Sequence, residues 1–411
     1  MKIKVGFIVF LICIIVFWTL PNYAEPTEQN LKNITRVYFC SEITKGYGSG
    51  DCILLENYDS KGNKLFGLID TGRKISKVDD NGNNTTAVKE FLDCHGVDKL
   101  EFFLTTHIHG DHAGDALTVL DNYPINRIYV KEFDSYFSAG TKQSTYENIL
   151  KKAITNNISI IGVSAESLHS ESLSPSRTSS FKTYINSIGN TKDELFSSFN
   201  DSNIEFDFGS STIKLFNWEL FAEDGTQFIS GVTTGKNKEF VDNENNNSLG
   251  LLLMQGSKKA FFSGDMNNLD KNDTTGRVGD EDRIKDEIGK IDLLKLGHHG
   301  YRESNTKDYM NTLSPEYVVI TNDEGEPCKE IKEWLTNNGT KYMYSTQDER
   351  GVSATITNDE VYLGCETTNS FQRIQGSMYY VPENSQYSNY TSSLYRLEYE
   401  NKEVEVIAGK G

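Results

Sequence analysis

Histidine is scarce in this chain, with seven in 411 residues, and cysteine is scarcer still, with six. The cysteines stand at 13, 40, 52, 94, 328 and 365, without paired spacing. No CxxC occurs, which excludes the usual zinc–thiolate pattern. Cys13 falls in the N-terminal apolar run, so the remainder is odd in number and is no disulfide framework. Cys40 with Cys52 is the one candidate for a local bridge. Positive charge is in deficit too: 41 Lys and Arg stand against 59 Asp and Glu, a net charge of −18. A chain of this kind has no electrostatic footprint for nucleic acid. A bound cation can still dominate the local field and hold such a substrate. No repeat array is present, and no long apolar run follows Leu20, which excludes a polytopic channel.

What is present begins at the N-terminus. Lys2 and Lys4 precede a mostly apolar run from Val5 to Leu20, Pro21 ends it, and Ala24 could close a cleavage site. This is the plan of a signal peptide over residues 1–24. An uncleaved N-terminal anchor is the alternative, although the run is short for a span of about 20 residues. Both readings place the remainder outside the cytoplasm, secreted or on the cell surface.

Residues 36–364 read as one α/β domain. Short runs rich in β-branched and aromatic residues ("RVYFC", "CILLENY", "KLFGLIDTG") form a meander. Helical patterns then alternate with strands, which argues for layered α/β packing. "TTAVKEFLDCHG" predicts a helix closed by His95 and Gly96. Residues 164–203, rich in Ser, Thr and Asn, break the rhythm and read as a surface insertion or lid. Residues 365–411 read as a C-terminal β-rich extension ending in a hairpin.

Five of the seven histidines sit at two strand ends. One strand, "LEFFLTT", runs into His107-x-His109-x-Asp111-His112; another, "IDLLKLG", runs into His298 and His299. Neutral imidazoles and carboxylates are the ligands that zinc-like divalent ions take. Two ligand pairs so close together suit two ions roughly 3.5–4 Å apart. Small residues at Gly110, Ala113 and Gly114 would permit tight turning. "LIDTG" puts Asp70 at a third strand end and "FFSGD" puts Asp265 at a fourth. Each of these two alone is ordinary turn chemistry; their order and spacing with the histidine motif give them weight.

The set "DTG … HIHGDH … FFSGD … KLGHHG" resembles the metallo-β-lactamase superfamily. Within it, the chain looks like the branch of the extracellular ComEC-type hydrolase domain and the cell-surface phosphorylcholine esterases. The resemblance implies a four-layer αββα sandwich. It implies that His107 and His109 bind one ion, that Asp111 and His112 bind a second, and that Asp265 bridges both. One of His298 and His299 would complete the second site and the other would face substrate. Asp70 would orient the motif from behind, and Asp111, His299 and Asp70 would be the residues closest to the chemistry. Two divalent ions, zinc or alternatively manganese, would activate a bridging water as nucleophile. The chain departs from many relatives at "ENNNSLG", where Asn247 and Ser248 stand in place of a further histidine. His169, the spare histidine, lies in the insertion and reads as solvated surface. "HHGY" replaces the branch's "HHGS", leaving Tyr301 or Ser304 to touch substrate. The function implied is an exported phosphodiesterase acting on DNA, a nucleotide or a phosphocholine-type ester of the cell wall. A lactonase, β-lactamase or thioesterase with the same site is one alternative, and an inactive surface-binding protein another.

Overall fold

Strands buried on both faces must be covered twice, and this chain builds two sheets of them. The computed structural model describes residues 33–79, 81–132, 141–169, 178–219, 232–234, 239–241, 244–268, 279–301, 304–323, 328–347, 351–365, 371–374 and 377–380. The N-terminal apolar run, residues 170–177 of the expected insertion and most of 365–411, including the predicted terminal hairpin, lie outside the described residues. Among the described residues, no helix is long and apolar enough to cross a membrane.

The first sheet holds β1 (Ile34–Cys40), β2 (Ile53–Tyr58), β3 (Lys64–Ile69), β4 (Phe102–Thr105), β5 (Arg127–Val130), β6 (Ser159–Ile161) and β7 (Phe196–Ser197). The second holds β8 (Glu205–Phe208), β9 (Ser211–Phe216), β10 (Gly250–Gln255), β11 (Lys258–Phe262), β12 (Leu293–Lys295), β13 (Tyr317–Ile320) and β14 (Lys341–Tyr344). The chain then returns to the first sheet through β15 (Gly351–Thr357) and β16 (Val361–Cys365). The orders are β16-β15-β1-β2-β3-β4-β5-β6-β7 and, in sequence, β8 to β14. Each sheet changes from antiparallel to parallel partway across. Strands β3 to β7 are parallel neighbours in the first sheet, and β11 to β14 in the second.

Side chains alternate between faces along a strand, and here both faces are apolar. Ile53 and Leu55 of β2, with Phe102 and Leu104 of β4, enter a core between the sheets, where they meet Leu251, Leu253 and Phe262. Leu54 and Phe103, one residue out of step, face outward onto helices α1 (Ala87–Cys94) and α2 (Ala116–Asn122) through Val88, Leu92 and Val119. On the far side Leu294 and Val318 meet α3 (Asp280–Ile288), α4 (Lys307–Leu313) and α5 (Lys329–Asn337) through Ile284, Met310 and Leu335. Three separate cores between four layers make an αββα sandwich, the architecture implied by the resemblance. At about 25 cal/mol per Å², burial of such aromatic and aliphatic side chains dominates folding.

The expected helix after "TT" is α1. Thr86 caps its start by accepting from Lys89 N, and His95 closes its end with Nδ1 at 2.7 Å from Phe91 O. Within the expected insertion, residues 178–203 are more ordered than their composition predicts. Residues Ser179–Ile188 form a helix capped by Thr178, and Phe181 and Ile185 enter the outer core. A polar tally hides two apolar residues one helical turn apart. His169 pairs with Asp193 at 2.9 Å within this segment, as a surface residue would.

Candidate metal centre

Parallel strands end in loops at their carboxyl edge, where open α/β sheets place their ligands. Here β3 ends in Asp70, β4 in Thr106 and His107, β11 in Asp265 and β12 in His298 and His299. The loops from the two sheets meet at one rim. The turn at Gly264 (φ +54) needs glycine, since a Cβ would come within 2.9 Å of Thr106. Gly114 is needed for closeness: a Cβ there would stand 2.2 Å from Gly110 O. Gly110 itself has open space around it and is not required by packing.

Two groups of ligand atoms converge. His112 Nε2 lies 3.1 Å from His299 Nε2 and 3.0 Å from Asp265 Oδ2. His299 Nε2 lies 3.2 Å from Asp265 Oδ1 and 3.9 Å from Asp111 Oδ2. Beside them, His107 Nε2 lies 3.0 Å from His109 Nδ1 and 3.9 Å from Asp265 Oδ2. Asp265 stands between the two groups. His299 therefore belongs to the cluster. His298 turns away, with Nε2 3.1 Å from Asn245 Nδ2 and its ring edge-on to Tyr301 at 5.2 Å. Both histidines adopt left-handed backbone, φ 44 and 50, at a cost of roughly 1–2 kcal/mol per residue. Asn305 clamps the preceding Gly297, accepting its N–H at 2.8 Å and donating to its carbonyl at 2.7 Å.

Asp70 orients the histidines from behind. Its oxygens accept from Thr106 N at 2.7 Å and Thr106 Oγ1 at 2.6 Å, and it lies 2.8 Å from His112 Nδ1. Thr106 Oγ1, having donated to Asp70, can accept from His107 Nδ1 at 3.2 Å. One buried carboxylate thus holds the Nδ1 proton of His112 directly and that of His107 through Thr106, and turns each Nε2 toward the rim, the side on which a metal-binding histidine offers its lone pair once any proton there is displaced. Ser248, not Asn247, touches the cluster where the extra histidine is missing: its Oγ accepts from Asp265 N at 3.0 Å and lies 3.3 Å from His107 Nδ1. Asn247 instead donates to Glu244 at 3.2 Å. Ser304 is buried and donates to Met266 O at 2.8 Å, so it holds the Asp265 loop and does not face substrate.

Sequence reading missed two buried charges. Asp51, just before β2, lies 3.7 Å from His112 Nδ1 and 3.5 Å from His299 Nδ1. Asp51, His112, Asp265 and His299 each present an atom within 4.8 Å of the others. Asp51 meets the imidazoles on the Nδ1 side, opposite the Nε2 atoms that face Asp265, so it supports the ligands from outside. Lys295, at the end of β12, is fully buried; its Nζ contacts Asp51 Oδ2, lies 3.5 Å from Asp265 Oδ1 and donates to Gly264 O at 2.9 Å. Charged residues are almost never fully buried unless paired, and a lysine inside "LLKLG" is the signal that was there to read. At the mouth, the partly exposed Arg73 donates through Nε to Ser49 O at 3.2 Å and reaches Asp111 Oδ2 at 3.5 Å.

The electrostatics follow from crowding. Burial works against charge on Asp265, yet His112, His299 and Lys295 outweigh it and hold its carboxyl well below the usual range. Burial, with His112 and His109 alongside, drives His107 far below the ordinary imidazole value, which keeps it neutral. His112 is driven the other way: burial opposes its charge, but Asp265 and Asp70 together raise it. Asp265 Oδ1 is buried and takes no hydrogen bond. A buried carboxylate oxygen in that condition, facing converging imidazole nitrogens, is satisfied by a divalent cation. The donor set fits such ions; its chemistry does not distinguish zinc from manganese.

No protein-family model matches the chain, and no curated protein matches it. Among solved structures it resembles CmlA, described as a diiron β-hydroxylase from Streptomyces venezuelae, at 12% identity and a TM-score of 0.40 over 79% of this chain. The match spans about half, 54%, of that protein's length. It also resembles the metallo-β-lactamase fold protein YhfI from Bacillus subtilis, at 11% identity and a TM-score of 0.38, over 81% of this chain and all of the other. A diphosphatase of the PhnP family matches at 12% identity and a TM-score of 0.36, over 79% of this chain and 97% of its own.

Proposed function

We propose that this chain is an exported metal-dependent hydrolase that holds two divalent ions and cleaves a phosphodiester. The observation that carries the reading is the meeting of two ligand groups on Asp265. His107, His109 and Asp265 would hold one ion. Asp111, His112, Asp265 and His299 would hold the other. Paired divalent ions supply a strong nucleophile from water at neutral pH and neutralise charge on a reacting phosphoryl group. The residues of the chain divide the remaining work. Asp70 fixes the His112 imidazole, and Thr321, with Oγ1 2.9 Å from His299 Nδ1, fixes the other. Arg73, tethered by Ser49, presents guanidinium donors to an anionic group entering beside Asp111. His298 and Tyr301 stand beside His299, with the Tyr301 ring edge-on to both imidazoles at 5.2 and 6.4 Å. Arg73 favours an anionic substrate, which a phosphodiester always is and a simple lactone is not. The nearly complete ligand set argues against an inactive binding protein. DNA, a nucleotide or a phosphocholine-type wall ester are the substrates to try.

The test is metal analysis with a phosphodiesterase screen. The purified chain is expected to bind two zinc or manganese ions and to cleave bis(p-nitrophenyl) phosphate. Asp265→Asn is expected to lose both. Two bound ions without turnover of any phosphodiester would overturn the substrate class, and full activity in Asp265→Asn would overturn the ligand assignment.

A further inference from the structure

Four carboxylates, those of Asp51, Asp70, Asp111 and Asp265, crowd around the histidines. Like charges this close repel strongly where solvent is excluded. Two of them, Asp51 and Asp265, share one partner that is not a ligand, Lys295. This lysine is fully buried, and its third contact, Gly264 O, fixes it to the turn that carries Asp265. Register explains its place: Lys295 pairs with Phe262 across the β11–β12 ladder, three residues before Asp265 in one strand and four before His299 in the other.

We propose that Lys295 is the resident cation of the site: clasped between Asp51 and Asp265, its ammonium offsets the surplus negative charge before any ion arrives, and so sets how tightly divalent ions bind. The proposal rests on the reading of the rim as a metal centre. Lys295 is a positioning residue: it is fully buried and would act on the ions through Asp265. Two consequences follow with opposite signs. Without Lys295 the metal-free chain must carry more unbalanced carboxylate, so it loses stability. The same charge imbalance makes the site more attractive to divalent cations, so affinity rises. A lysine that only filled space would lower the stability of both states alike.

The experiment compares the wild type with Lys295→Met, each as the metal-free and zinc-loaded chain. Thermal midpoints and zinc dissociation constants by chelator competition are the readouts. The expected result is a lower midpoint for metal-free Lys295→Met, a wider gap between its two states, and zinc bound at least about tenfold more tightly, a change of roughly 1.4 kcal/mol. Equal loss of midpoint in both states, or unchanged or weaker zinc binding, overturns the proposal. Should Lys295→Met fail to fold in either state, the double variant Lys295→Met with Asp51→Asn decides. Removing both members of a buried pair is far less damaging than removing one, so recovery of folding supports the proposal and continued failure overturns it. Failure of the wild type to bind zinc or manganese at all would instead sink the metal-centre reading on which the proposal rests.

Discussion

Replacing Asp70 with asparagine tests the cluster at the point where one atom decides the rest. The amide keeps the shape of the carboxylate but offers one acceptor in place of two. Thr106 N, which can only donate, will claim that oxygen at the present 2.7 Å. The amide nitrogen then faces Thr106 Oγ1 and His112 Nδ1, which now lie 2.6 and 2.8 Å from Asp70 Oδ2. Facing a donor, Nδ1 of His112 must become an acceptor, and the ring proton moves to Nε2. That nitrogen points at Asp265 and His299, where an ion would need its lone pair. Thr106 Oγ1, now facing a donor, accepts from it and turns its own O–H toward His107 Nδ1, 3.2 Å away, which moves that ring's proton to Nε2 as well. Loss of such outer partners weakens metal binding about 10- to 100-fold, roughly 1.4–2.8 kcal/mol. The assay is chelator competition for zinc with Asp70→Asn and the wild type, with circular dichroism to show that both are folded. A dissociation constant within about threefold of wild type, well short of the tenfold lower bound, would refute the tautomer argument.

Two further outcomes are expected. His299→Ala should lose one of two bound ions, whereas His298→Ala should keep both and lose turnover; metal counting by mass spectrometry distinguishes them, and the reverse pattern would mean the two histidines are misassigned. Glu281 is buried and accepts from Thr306 N at 2.9 Å and from Asn305 N, holding the segment that clamps Gly297. Burial, opposed by those backbone donors, pushes its carboxyl from 4.5 up to about 7. The unfolded chain therefore ionises first. The stability this group contributes is complete below about 4.5 and is lost as pH rises through about 7. Thermal melts of the wild type and Glu281→Gln across that range should converge at the acid end and separate toward pH 8; parallel curves would count against it.

The metal cluster was legible because its residue types are rare and fall at strand ends. His107, His109, Asp111 and His112 were picked out by their spacing, and Asp70 and Asp265 joined them through their order along the chain and the family resemblance. The choice of His299 over His298 was not legible, because it depends on two left-handed residues held by Asn305, eight positions beyond Gly297. Asp51 stands in the local run "YGSGDC", and nothing there ties it to Lys295. Their contact exists because the two sheets face each other, and facing sheets leave no periodic trace. Layered α/β packing was legible in the alternation of strand and helix patterns, and the four layers came from the family resemblance. The helix at Ser179–Ile188 was hidden by serine and threonine, since its burial rests on Phe181 and Ile185.

The rim draws its groups from nearly the whole domain, from Asp51 near the start of the first sheet to His299 after the twelfth strand. A chain emerging from synthesis or threading across a barrier carries the HxHxDH loop long before the partners that would complete it. Contacts between such distant segments form late, because the entropy of closing the long loops must be met first. An ion that meets the chain early finds a few loose side chains and no cage. On the proposed reading, ion capture would be a closing event of folding, and the newborn chain would reach its native shape on the strength of its apolar layers and its internal lysine.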